Sequence, residues 1–191
     1  MRTIGKTKKG EYGYRNAHNK RQALLVCACL LLIGAQLFAR TLTDNEAAKN
    51  ILTVMAVVSV LPMANIASPF LVSLRYRSID KALYEKAKQS GSGQKLFDLI
   101  VTTPKQVIPV DVAVVHPVGV FLYCSNPKLD LTQAEQWLNA AFRSHKLDEN
   151  VKIFVSKEKF LRRLQSLKPA EGYEDDGSAA YAVSLLKSLS M

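Results

Sequence analysis

The chain has 191 residues, 48% of them apolar, and its 26 Lys and Arg outnumber 16 Asp and Glu for a formal net charge of +10. Residues 1–22 hold seven Lys and Arg against Glu11 alone, residues 75–95 hold six against Asp80 and Glu85, and the rest of the chain is neutral. Charge gathered beside apolar runs reports membrane topology and argues against a nucleic-acid surface, while three scattered cysteines without a C-x-x-C or Cys/His spacing argue against a disulfide framework or a zinc site.

Residues 1–22 read as a basic tail. Ala23–Ala39 follows with 17 residues free of charge, short for a membrane span, though Arg21, Gln22 and Arg40 are long enough to snorkel to the interface. Its basic start and the small residues of Ala35–Ala39 also fit a signal peptide, but the apolar stretch is long and a second one follows at once. Ile51–Leu74 is 24 residues without a charge. The pair predicts a two-helix transmembrane hairpin over residues 23–74, with spans 23–39 and 51–74, rather than two buried core helices. The loop Arg40–Asn50 is neutral and both outer flanks are basic. The positive-inside rule then predicts a multi-pass protein of the cell inner (plasma) membrane with both termini cytoplasmic. Lipid would be contacted by the hairpin and by the basic flanks. Asn65, between Pro62 and Pro69, reads as an interhelical hydrogen-bonding residue more simply than as part of a transport pathway. Two spans cannot enclose a pore alone, so self-association is left open. Cys27 sits deep in the first span, a poor place for palmitoylation.

Residues 75–95 form a basic juxtamembrane connector. Ser78–Ser90 predicts a short helix with Ile79, Ala82, Leu83 and Ala87 on one side. Ser90–Gly93 breaks it and lacks the pattern of a phosphate loop. Residues 96–169 predict a compact cytoplasmic domain of the α+β class in the order β-β-β-α-β-α. Its strands are Leu96–Thr103, Val107–Val115 and Val120–Cys124, with a turn at His116–Gly119. An amphipathic helix, Asp130–His145, is started by Asp130 or by a Thr132/Glu135 capping box. Trp137, Leu138 and Phe142 on that helix are expected to pack against Val112, Val114 and Phe121. Val151–Ser156 is a strand expected to pair in parallel after the helical crossover. Lys157–Lys168 is a second helix, stopped by Pro169. Residues 170–191 read as an acidic, mobile linker, Glu171–Gly177, and a short terminal helix.

Asp111 is the residue with the most chemical promise, because a carboxylate inside the apolar run VIPVDVAVV must be paired or bound to metal. Lys105 is a nearby structural partner. For a metal site, Asp98 on the preceding strand is the second candidate ligand. An Asp-bearing strand followed by a hairpin loosely resembles the nuclease-related, restriction-endonuclease-like domains, in which that Asp binds metal beside an E-x-K strand. Here the matching strand, Val120–Asn126, has no acid. His116 and Cys124 could form a nucleophilic pair only if the hairpin brought them together; Cys124 reads more simply as a core residue. His145, at a helix end, is accounted for by the helix dipole. No cofactor motif is present in the sequence.

The whole pattern, including VIPVDVAVVHPVGVFLYCSN and FVSKEKFLRRLQSLKP, resembles small uncharacterised two-span membrane proteins of Gram-positive bacteria. That resemblance implies location and architecture. The expected function is a membrane-anchored interaction or scaffold module with an unidentified protein partner, and whether it is also an enzyme is left open. The alternatives are a tethered hydrolase using Asp111 and an accessory subunit of a membrane transport complex.

Overall fold

The computed structural model describes residues 7–90, 93–173 and 177–191. The chain divides into two compact units. One comprises the segment ending at Arg15 together with Ser78–Met191; the other is Asn16–Arg77.

Asn16–Arg77 is built from two long apolar helices. Helix α1, Tyr14–Leu42, begins in the other unit and supplies the first; α2, Glu46–Leu74, is the second, and each has 29 residues. At about 1.5 Å per residue each is about 43 Å long. Both are long and apolar enough to cross a membrane. They are antiparallel: Asn19 and Ser73 exchange hydrogen bonds at one end, and Gln36 meets Ser59 further along. Asn45 caps α2 by accepting from the N–H groups of Ala47 and Ala48. Helix α2 runs through both Pro62 and Pro69 without a break.

The other unit is a four-stranded sheet between two layers of helices. Its elements are α3 (Lys81–Gln89), β1 (Gln94–Thr102), β2 (Val107–His116), β3 (Gly119–Tyr123), α4 (Leu131–Ser144), β4 (Val151–Phe154), α5 (Lys157–Gln165), a 3-10 turn (Ala170–Gly172) and α6 (Ser178–Leu189). Sheet order follows chain order, with β1, β2 and β3 antiparallel and β4 parallel to β3. Helices α4 and α6 cover one face through Leu138, Phe142, Leu185 and Leu186. Helices α3 and α5 cover the other through Leu83, Ala87, Phe160 and Leu164.

Trp137, Leu138 and Phe142 therefore pack against Ala113, Val115, Val120 and Leu122, the side of the sheet opposite the expected Val112, Val114 and Phe121. The strands are apolar on both faces, so their sequences hold no alternation from which to read the side. Helix α4 is capped by Asp130, which accepts from the Gln133 N–H at 3.0 Å. Glu135 has a different task from a capping box: it accepts from the Ile153 N–H, while Asn139 accepts from the Val151 N–H. Together they satisfy donors on the outer edge of β4 and blunt that edge against further pairing.

The opposite edge, along β1, is covered by both ends of the chain. The Gly10 carbonyl accepts from Phe97, Ser190 bridges to Val101, and Met191 N–H donates to Ile100. Gly10 has φ +93°, and a Cβ there would stand 2.8 Å from Leu96 Cδ2. Only glycine fits this approach. Lys9 reaches across to the carbonyls of Lys187 and Ser190, placing a cation at the C-terminus of α6. Residues 7–15, expected to be tail, are thus part of the folded sheet unit. The middle of the Ser90–Gly93 break, residues 91–92, and the middle of the acidic linker, residues 174–176, lie outside the described residues.

Candidate functional site

Asp98 and Asp111 face each other across β1 and β2. The ladder pairs Phe97 with Val112 and Leu99 with Val110, and passes over the two acids between them. Side-chain alternation slips at this point in both strands. Leu96 and Ala113 lie in the same core layer as Leu99, Val101, Ile108 and Val110, on the far side of the slip. Asp98 takes φ +57°, the left-handed conformation that Asp tolerates better than an apolar residue. The local break lets two carboxylates enter a sheet that is otherwise wholly apolar here.

All four carboxylate oxygens have donors from this chain. Asp98 accepts from the Gly13 N–H at 2.7 Å and from the Ile79 N–H at 3.1 Å. Asp111 accepts from the Ser125 N–H at 2.7 Å and pairs with Arg15 at 3.1 Å. The second terminal nitrogen of Arg15 donates to the carbonyls of Leu99 and Val110, which flank the break, at 3.0 and 3.1 Å. Arg15 and Asp111 are each 3% exposed and Asp98 1%. The partner of Asp111 is thus Arg15, 96 positions away, and not Lys105, which is exposed on the β1–β2 turn. Sequence reasoning missed Arg15 because it stands in a basic stretch. The one hint was the company it keeps: two glycines and two tyrosines in GEYGYR are unusual for a disordered tail.

A divalent cation on Asp98 and Asp111 would have to displace backbone donors and compete with a buried guanidinium. Among the described residues no three His, Cys, Asp or Glu side chains converge. The cluster works as a fastener: Asp98 holds both Gly13, just before α1, and Ile79, shortly after α2. The Tyr12 ring stacks on Tyr84 with centroids 4.3 Å apart, and Tyr84 meets Phe97 edge-on, which extends the same seam.

His116 and Cys124 do not meet. His116 pairs with Gly119 and Val112 with Tyr123, so Cys124 lies roughly 17 Å along β3 from the histidine. His116 Nδ1 accepts from the Val118 N–H at 3.2 Å, so Nε2 carries the proton toward the Lys168 carbonyl at 3.0 Å. Cys124 is fully buried, and burial, aided by the charge of Asp111, pushes its thiol up to about 11. At neutral pH it is a protonated core residue and a poor nucleophile. A cavity of about 110 Å³ beside His116 is lined by Gly119, Lys146, Asp148, Ser178 and Ala182. It is large enough for a few waters, and both nitrogens of the histidine are already engaged elsewhere.

In the hairpin, Asn65 is exposed and makes no side-chain hydrogen bond among the described residues. No protein-family model matches this chain, and no curated protein and no solved structure matches it.

Proposed function

We propose that this chain is a membrane-anchored interaction module: a hairpin of two spans holds a cytoplasmic α+β domain at the inner face of a bacterial plasma membrane, where it binds a partner protein. The observation that carries the reading is the buried Arg15–Asp111 pair. It joins the first turn of α1 to the sheet that follows α2, so both flanks of the hairpin belong to one folded body. A body formed from both flanks supports an even number of spans with both termini on one side. The basic flanks favour the cytoplasmic side. A binding role, in place of a catalytic one, is supported by what the ionisable residues do. Asp98, Asp111, Arg15 and His116 hold the fold together, and the thiol of Cys124 is protonated.

Alkaline carbonate extraction and cysteine accessibility test this reading. The protein should remain in the membrane pellet. In a background with Cys27 and Cys29 replaced by Ala, Asp44→Cys should react with an impermeant maleimide in intact spheroplasts, and Lys159→Cys only after lysis. Release at high pH, or the reverse labelling pattern, would overturn it.

A further inference from the structure

We infer that α2 is a self-association helix: two copies of this chain pair in parallel along one stripe of α2, with Asn65 meeting Asn65 across a two-fold axis. The inference rests on the membrane-spanning reading of the hairpin. Residues Val54, Val58, Leu61, Asn65, Ser68 and Val72 all lie on one side of α2, and all six are exposed. The side turned toward α1 carries Ala56, Ser59 and Ser73. The six exposed positions are spaced alternately four and three residues apart, which is the period of a left-handed coiled-coil seam. Val58, Asn65 and Val72 then occupy one core position of the heptad, and Val54, Leu61 and Ser68 the other. β-branched residues at the first with Leu at the second favour two strands, and a single Asn at the first fixes register and partner number.

Lipid chains offer no hydrogen bond, so an exposed amide near the middle of a span needs a protein partner. The prolines sharpen the need. Pro62 and Pro69 have no N–H to give, which withholds the helical donor from the carbonyls of Val58 and Asn65. Both residues stand on the stripe, so side-chain and main-chain polar groups lacking a helical partner coincide at Asn65. A second copy answers this best. Its Asn65 lies at the same depth automatically, because each copy has the same topology. An amide is self-complementary, giving and accepting one hydrogen bond in each direction. Ser68, one turn on, is small enough to allow close approach of the backbones.

The test uses the full chain in lipid vesicles, with Cys27 and Cys29 replaced by Ala. Single cysteines placed at Val54, Leu61, Ser68 and Val72 should form disulfide-linked dimers on mild oxidation. Cysteines placed at Val57, Val60 and Leu71, exposed at similar depths but off the stripe, should not. The association constant read by energy transfer between labelled copies should fall about three- to twentyfold in Asn65→Leu and largely persist in Asn65→Gln. Cross-linking without the four-three period, none at all, or unchanged association in Asn65→Leu would overturn the proposal. Failure of the membrane reading itself would look different, because the chain would then be released from vesicles by carbonate.

Discussion

The hairpin and the sheet unit use the same aliphatic residues in opposite ways. Leu31 in α1 is 74% exposed, whereas Leu122 in β3 is wholly buried. In the sheet unit, apolar side chains turn inward on both faces and every enclosed carboxylate oxygen has a donor. In the hairpin, apolar side chains turn outward and the polar pairs, Asn19 with Ser73 and Gln36 with Ser59, turn inward. The first arrangement suits water and the second suits hydrocarbon. The contrast is therefore itself a statement about solvent, and it can be broken by measurement.

The largest effect is expected at Arg15. Arg15→Met leaves Asp111 buried and uncompensated, which should cost about 3–5 kcal/mol. Trp137 is the only tryptophan and packs on the sheet core, so its fluorescence reports unfolding of that unit in detergent solution. A cost below about 1 kcal/mol would mean that the start of α1 is not part of the sheet unit's fold.

The contrast between the two regions is sharpened by a matched pair. Leu122→Ala should cost about 2–5 kcal/mol because it opens a cavity in a closed core. Leu31→Ala, measured in the same micelles, should cost less than about 1 kcal/mol because it trims an exposed side chain and leaves no cavity. Equal losses would place Leu31 in a protein core and contradict the outward-facing hairpin.

The smallest effect is a pH dependence. The thiol of Cys124 lies at about 11 in the folded chain against an ordinary 9.0. The folded state thus holds this proton more tightly than the unfolded state. Its contribution is complete below pH 9 and is lost as the pH rises from 9 to 11, by at most about 3 kcal/mol. Urea midpoints at pH 8.5 and 10.5 should show a drop that shrinks in Cys124→Ala. The same drop in both proteins would show that another group is responsible.

The two long apolar helices were legible in the sequence because long runs without charge suit hydrocarbon and little else, although α1 and α2 extend well past those runs to 29 residues each. The strands and amphipathic helices were legible from turn residues and helical spacing. The faces of the strands were not. VIPVDVAVV is apolar at nearly every position, so a slip in alternation at Asp111 leaves no trace in the pattern. The stripe on α2 was hidden for the same reason, since in an apolar helix only exposure separates one side from the other. Asp111 was legible as a residue in need of a partner, but the partner was not.

By itself, then, the sequence determined the kinds of element and that two of them are long and apolar enough to cross a membrane, since both follow from local composition. The tertiary structure alone decided which distant residues complete one another: Arg15 with Asp111, Gly13 and Ile79 with Asp98, Glu135 and Asn139 with the edge of β4. The physical reason is that a buried polar group demands some partner without specifying which, and that choice is made by the way the chain closes on itself.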